Sequence, residues 1–77
     1  MKEQFEFEIV ETIGVASDNG KWSLELNKVS WNGRQPVFDL RKWNEDHTRM
    51  TKGISFTEEE AEELCEIFNN YFGEEEE

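Results

Sequence analysis

The residues best suited to chemistry lie between positions 29 and 56, where two tryptophans stand close to two arginines and a lysine. We call this stretch the Trp/Arg segment, and its candidate residues are Trp31, Arg34, Arg41, Trp43 and Lys52. Aromatic rings stack on nucleobases, while guanidinium and ammonium groups attract phosphates. The segment is therefore typical of a surface that binds single-stranded nucleic acid.

The net charge of −11 at pH 7 argues, taken alone, against a nucleic-acid ligand. The charges are unevenly distributed, however. Residues 17–53 carry seven Lys or Arg against five Asp or Glu, whereas residues 54–77 carry ten Glu and no basic residue. Because the Debye length is about 8 Å at physiological salt, a local basic surface acts despite distant acids. We therefore keep the nucleic-acid hypothesis and add Lys28 and Lys21 as further candidates for phosphate contact.

Each candidate also has an ordinary structural interpretation. Tryptophan is largely buried on average, so Trp31 and Trp43 are core candidates as well. Arg41 is placed to pair with Glu25 or Asp39, and an exposed ion pair stabilises a fold by only about 0–1 kcal/mol. Taken as a set, the tryptophans and cations favour binding, and we expect Trp43 to share the non-core face of its strand with Arg41.

The chain offers little for catalysis or metal binding. It has a single histidine, His47, and a single cysteine, Cys65, so neither a metal site nor an internal disulfide is expected. No nucleophile with a base and an orienting group is apparent, and no phosphate-binding glycine loop occurs. We predict a protein with no enzyme activity, cofactor or small-molecule substrate. One free cysteine, no export signal and no long apolar run predict a cytoplasmic protein that does not cross a membrane.

Hydrophobic periodicity predicts four strands followed by one helix, in a single domain over residues 1–77 that is ordered from about 4 to 72. Glu11 falls on the apolar side of the first strand, so we expect a bend or the end of the strand near it. The core side chains are expected from Leu24, Leu26, Phe38 and Leu40, with Trp22 beside them. The predicted strands cover residues 5–15, 22–31, 37–43 and 53–56.

The turn after the second strand decides which side chains share a face. A two-residue Asn32-Gly33 loop would pair core residues with charged ones, because a shift of one residue turns every side chain over. A longer, odd-numbered loop pairs Leu26 with Leu40 and leaves Glu25 opposite Arg41. We predict the longer loop, with Trp31 and Arg34 at its tip in an orientation that the sequence leaves open.

The helix has clear ends. Thr57 and Glu60 fit a capping box, and Gly73 is placed to end the helix near Phe72. Its apolar stripe is broad and aromatic, which favours covering the sheet and also meeting a partner helix. Cys65 lies on that stripe and is expected to be buried. Residues 73–77 are predicted to form a solvated acidic tail.

Three segments, VSWNGR, DLRKW and KGISF followed directly by TEEEAEEL, give the chain a family likeness. They resemble the positive cofactor four family of transcriptional coactivators, most closely its small bacterial YdbC-like branch. FEIVETIGV and KWSLELNKVSWNGR also resemble that branch, so the likeness runs from about Phe5 to Phe72. KGIS with a following hydrophobic residue and a capped acidic helix is the most specific of these motifs.

The resemblance implies a curved four-stranded antiparallel sheet with one C-terminal helix, and a homodimer formed through helix and sheet. It implies a channel that binds single-stranded DNA with little sequence preference, serving transcription, replication or repair. Tryptophans are expected to stack on bases and the basic residues to contact phosphates. The implied DNA-binding residues are Trp31, Arg34, Arg41, Trp43 and Lys52, with Lys28 and Lys21 as weaker matches.

Other functions fit parts of the same sequence. Single-stranded RNA suits the same surface, because none of the candidate residues reads a 2′-hydroxyl group. The acidic helix and tail also fit a protein-interaction module that holds a basic partner. An oligosaccharide-binding sheet ranks last, because such sites use acidic and amide groups beside their aromatic rings.

Overall fold

The computed structural model describes residues 6–73, which form one antiparallel sheet followed by one helix. The four strands pair in chain order, and the predicted β-β-β-β-α fold is confirmed. Phe5 and the predicted tail beyond Gly73 lie outside the described residues. The elements are β1 (Phe7–Asp18), β2 (Trp22–Trp31), β3 (Val37–Asn44), β4 (Ile54–Phe56) and α1 (Glu58–Phe72).

β1 is irregular in three places, where its pairing with β2 shifts by one residue. The first shift lies between Ile9 and Glu11, and it sets Glu11 opposite Lys28. An extra residue of this kind bends a strand and strengthens its twist. The bend expected near Glu11 is therefore confirmed. The two later shifts, at Ile13 and Ala16, do not follow from the alternation of apolar residues.

β2 and β3 pair in the register predicted from the longer loop. Leu26 faces Leu40, and Glu25 faces Arg41. Directly opposed residues lie on the same face of a sheet. The register therefore separates two faces, one with the leucines and one with the charged pair. We call the second the inner face.

The helix begins and ends as predicted. The Thr57 hydroxyl accepts a hydrogen bond from the Glu60 N–H at 3.1 Å, and the Glu60 carboxylate accepts one from the Thr57 N–H at 2.9 Å. At the other end Gly73 adopts a left-handed conformation with φ 70°. Its N–H donates to the carbonyl oxygens of Asn69 and Asn70, which ends the helix.

The buried interior lies on the inner face, opposite α1, and this differs from the sequence prediction. The expected core leucines are only half-buried. α1 has no buried residue and contacts the sheet chiefly at β3. The predicted core is therefore open in a single chain. The least exposed residues are Val29, Trp43, Glu25, Asn27 and Asp39.

A groove of about 870 Å³ remains between α1 and the sheet. We call it the apolar groove. Cys65, expected to be buried, lines this groove but is exposed, and Trp22 is half-buried. Both results follow from the same cause, because α1 covers only part of the sheet. The groove is lined mainly by Leu26, Phe38, Leu40, Phe56, Leu64 and Phe68.

Among residues 6–73, no helix has the length and hydrophobicity needed to cross a membrane.

Candidate nucleic-acid interface

A row of aromatic rings crosses the inner face. The Phe7 ring lies between those of Trp31 and Trp43, at centroid distances of 5.9 Å and 5.2 Å. The His47 ring continues the row, 5.4 Å from Trp43. Tilted contacts of this kind are favourable between aromatic rings. The row links the turn after β2 to the loop after β3, through a phenylalanine that the sequence marked only as apolar.

Trp43 is buried completely, with 0% of its surface exposed. Its predicted place on the same face as Arg41 is confirmed by the strand register. The expectation that this face is open to solvent is wrong, because Phe7 and His47 contact the ring there. With no exposed surface, the Trp43 ring offers no platform to a base. It is a core residue of the described chain.

Arg41 is bound by a carboxylate of its own strand. Its Nε donates to Asp39 Oδ1 at 2.6 Å, and its Nη2 donates to Asp39 Oδ2 at 2.7 Å. The Ser55 hydroxyl adds a third hydrogen bond to Asp39, at 2.8 Å. The side chains of Arg41 and Asp39 are 14% and 0% exposed. Of the two pairings that the sequence allowed for Arg41, the structure shows the one with Asp39.

Trp31 is followed by a tight turn in which Asn32 and Gly33 both have positive φ, 53° and 77°. Asn-Gly favours this conformation, and the Arg34 N–H closes the turn on the Trp31 carbonyl at 2.9 Å. Asn32 also exchanges two hydrogen bonds with the Glu6 backbone, at 2.7 Å and 3.0 Å. The orientation that the sequence left open is now defined. The Trp31 ring is half-buried on the inner face, and Arg34 is exposed.

Lys52 is exposed in the segment that leads into β4. The next residue, Gly53, has no room for a side chain. A Cβ there would lie 2.5 Å from the Leu40 carbonyl oxygen and would press on the Arg41 side chain. The glycine of the KGIS motif therefore allows this backbone to pass directly over β3. Sequence reading recognised the motif but not the reason for its glycine.

Two predicted contacts lie elsewhere. Lys28 is on the groove face, where its ammonium group sits 4.9 Å from the centre of the Phe38 ring. Lys21 lies between β1 and β2, beside the acidic loop residues Glu45 and Asp46. Lys21 and Trp43 line the same surface depression near the start of β2, whereas Lys28 lies on the opposite face of the sheet from the Trp31 ring.

His47 holds the loop after β3 against the sheet. Its Nε2 lies 2.9 Å from Glu25 Oε1 and 3.1 Å from Oε2. The Ser23 hydroxyl and the Asn27 amide also donate to this carboxylate, at 2.5 Å and 3.2 Å. Burial by itself raises the pKa of Glu25, but the hydrogen bonds from Ser23, His47 and Asn27 together outweigh it, so the pKa lies below its ordinary value. The sequence indicated only a loop histidine here.

Within residues 6–73, no group of three or more His, Cys, Asp or Glu side chains is arranged to hold a metal ion. Trp31 is half-buried on the inner face, and two exposed cations lie in segments linked to it. Arg34 closes the turn on the Trp31 carbonyl, and Lys52 follows Thr51, whose carbonyl binds the Arg41 that lies 4.8 Å from the ring. We call Trp31, Arg34 and Lys52 the tip surface. A ring with neighbouring cations is the arrangement that stacks a base while neutralising its phosphate.

Comparison with known proteins places this arrangement in context. The sequence profile of the family described as Transcriptional Coactivator p15 (PC4) matches residues 19–67, from the turn before β2 into α1. A protein of Treponema pallidum (strain Nichols), described as uncharacterized, is 37% identical over 71 residues. The aligned region covers 91% of this chain and 84% of that protein. The whole tip surface lies within the matched segment.

Proposed function

Because this chain belongs to the Transcriptional Coactivator p15 (PC4) family, we propose that it binds single-stranded DNA with little sequence preference, through the tip surface. The family is known for single-stranded DNA binding and coactivation. For this chain we propose base stacking on Trp31 and phosphate contacts from Arg34 and Lys52. No part of this arrangement reads base edges, so sequence preference is expected to be weak.

The observation that carries the proposal is the state of the Trp31 ring. The ring is half-buried and is held by Phe7 on the inner face, at a centroid distance of 5.9 Å. A ring that is already fixed loses little conformational freedom when a base stacks on it, and such stacking contributes about 1–3 kcal/mol per base. A strand whose base stacks on Trp31 then brings its phosphates within reach of Arg34 and Lys52.

The acidic character of the chain is compatible with this location. The glutamates of α1, including Glu58, Glu59 and Glu60 in its first turn, belong to the helix on the groove face. The sheet separates them from the tip surface, and salt screens charges beyond about 8 Å. On the inner face itself, Asp39 is paired with Arg41 and Glu25 with His47. These acids therefore leave Arg34 and Lys52 effective as cations, and the exposed Glu6, whose backbone pairs with Asn32, is the acid beside the turn.

The proposal includes a homodimer, formed through the apolar groove. Ile67, Phe68, Tyr71 and Phe72 are 58–80% exposed on α1, and contiguous apolar surface of this kind marks an interface. A 15-residue helix with no buried residue also has little stability of its own. A second copy supplies both the helix and the sheet needed to cover the groove. Two tip surfaces in one assembly increase the effective affinity for a single strand.

The experiment that tests the function is a titration of fluorescently labelled oligo-dT and of a matched duplex, at low and at physiological salt. The informative variant is the double substitution Trp31→Ala/Arg34→Ala. Its matched control is Trp22→Ala/Lys42→Ala, which removes a tryptophan and a basic residue from the opposite face of the sheet. We expect binding of oligo-dT to fall by about tenfold or more in the first variant, the equivalent of one lost stack. The control should bind like the unmodified chain.

Two outcomes contradict the proposal. One is equal, weak binding to oligo-dT and duplex. The other is an equal loss in both double variants, which would mean that general charge and aromatic content decide binding. An oligo-U competitor in the same titration compares RNA with DNA on this surface. If oligo-U binds more tightly than oligo-dT, the ligand is single-stranded RNA.

A further inference from the structure

Arg41 contacts the Trp31 ring of the tip surface and the residue directly before Lys52. Its guanidinium carbon lies 4.8 Å from the centre of the Trp31 ring. Its Nη1 donates to the carbonyl oxygen of Thr51 at 3.3 Å, directly before Lys52. Its remaining hydrogen bonds go to Asp39 and, from Nη1, to the Met50 sulfur at 3.5 Å. One side chain therefore joins the ring proposed for base stacking to the segment that presents a cation.

The pair with Asp39 leaves Arg41 little capacity for a phosphate. A guanidinium group has five N–H donors in a fixed plane, and Nε, Nη1 and Nη2 all donate within the protein. A phosphate that displaced Asp39 would leave a fully buried carboxylate without its cation, which is strongly unfavourable. The opposite charges also cancel at a distance, so the pair adds no net attraction for DNA.

The backbone after Thr51 lies directly against Arg41. A Cβ on Gly53 would press on the Arg41 side chain, so no gap separates the two. The Ser55 hydroxyl, two residues further on, donates to Asp39 at 2.8 Å. The segment that carries Lys52 is thus fixed to the Arg41–Asp39 pair before and after the lysine.

We propose that Arg41 and Asp39 act as a positioning pair for single-stranded DNA binding. The pair holds the Trp31 ring and the Lys52 segment on one face, and Arg41 does not itself contact a phosphate. This inference rests on the proposed function and replaces the direct phosphate contact that the sequence predicted for Arg41. It also gives an acidic residue a favourable role in binding an anionic ligand.

Two substitutions separate positioning from direct contact, because the two roles predict opposite results. Asp39→Asn removes a negative charge and releases Arg41. Direct contact then predicts tighter binding of oligo-dT, whereas positioning predicts binding weaker by about tenfold, one lost stack. Arg41→Lys keeps the charge but cannot form the two-pronged pair. Direct contact predicts nearly full binding, and positioning predicts a loss similar to that of Asp39→Asn.

A third variant and an NMR spectrum distinguish a loss of positioning from misfolding. Ser55→Ala removes one hydrogen bond from Asp39 without changing any charge, and positioning predicts a smaller loss of binding in the same direction. In ¹H–¹⁵N spectra of free Asp39→Asn, the Trp31 indole and Lys52 amide signals should move while those of α1 stay. If Asp39→Asn does not fold, Arg41→Lys and Ser55→Ala decide the matter.

The outcomes distinguish this inference from the function on which it rests. If the unmodified chain does not bind oligo-dT, the proposed function fails. If it binds and Trp31→Ala/Arg34→Ala weakens binding, the proposed function stands. Tighter binding in Asp39→Asn, with binding retained in Arg41→Lys, then overturns only the positioning role. Weaker binding in both Asp39→Asn and Arg41→Lys, with no further loss when they are combined, supports the pair as one unit.

Discussion

The His47 ring and the Glu25 carboxylate meet on the inner face at 2.9 Å, which fastens the loop after β3 to the middle of β2. Glu25 has a lower pKa in the folded chain than its ordinary value of 4.5. Ionised Glu25 therefore stabilises the fold above that value, and the stabilisation is lost as the pH falls through the folded-state pKa. We expect urea unfolding to show a steeper loss of stability below about pH 4.5 for the unmodified chain than for Glu25→Gln. An equal loss in both, with exposed Glu45→Gln as the control, would contradict this role.

The close passage of the KGIS backbone over β3 predicts a strong effect of one methyl group. Gly53→Ala places a Cβ 2.5 Å from the Leu40 carbonyl oxygen, so backbone must shift. We expect a loss of at least about 1–3 kcal/mol in the free energy of unfolding, the usual cost of overpacking. Gly14→Ala is the control, because a Cβ there meets nothing within 4 Å. Equal unfolding midpoints for the two variants would show that the Gly53 contact is not tight.

Burial of Trp43 predicts that this residue matters for stability. Trp43→Ala should lower the free energy of unfolding by about 3–5 kcal/mol, as large-to-small changes in a core do. Trp22→Ala, at a half-buried position, should cost clearly less. Chemical denaturation followed by circular dichroism measures both. A Trp43→Ala chain with unchanged stability but lost DNA binding would contradict the core role and support base stacking on Trp43, as the sequence predicted.

The proposed homodimer predicts a change of mass from a single charge in the apolar groove. Phe68 is 58% exposed in one chain and lines the groove, so Phe68→Glu should give a monomer because an unpaired charge cannot be buried in an apolar contact. Glu62→Ala is the control on the same helix, since Glu62 does not line the groove. Sedimentation equilibrium distinguishes the masses. A dimer that survives Phe68→Glu, or an unmodified chain that is already monomeric, rules out this interface.

The order of elements, the helix ends and the pairing of β2 with β3 were predictable because each depends on local patterns. Only one register keeps Leu26 beside Leu40. The capping box formed by Thr57 and Glu60 marks the start of a helix without reference to the rest of the chain. The side of the sheet that is buried was not predictable. Alternation assigns residues to two faces but does not say which face the rest of the chain covers.

The contacts of the candidate site were harder still to foresee. Arg41 had two carboxylates within reach by register, and only the structure distinguishes Asp39 from Glu25. Trp43 was misjudged because its cover comes from Phe7, which is distant in sequence, and from His47, which the loop after β3 folds back onto the ring. His47 has a positive φ of 59°, which is uncommon for residues other than glycine and is not signalled by its neighbours.

The most direct test of the central claim is chemical-shift mapping of the ¹⁵N-labelled chain during titration with oligo-dT. The proposed function predicts the largest changes at the Trp31 indole and at the backbone amides of Arg34 and Lys52. The solvent-facing amides of α1 should stay unchanged, and a matched duplex should produce weaker shifts at the same positions. Changes confined to α1 or to the Asn44–Met50 loop, or no changes at all with oligo-dT, would contradict binding at the tip surface.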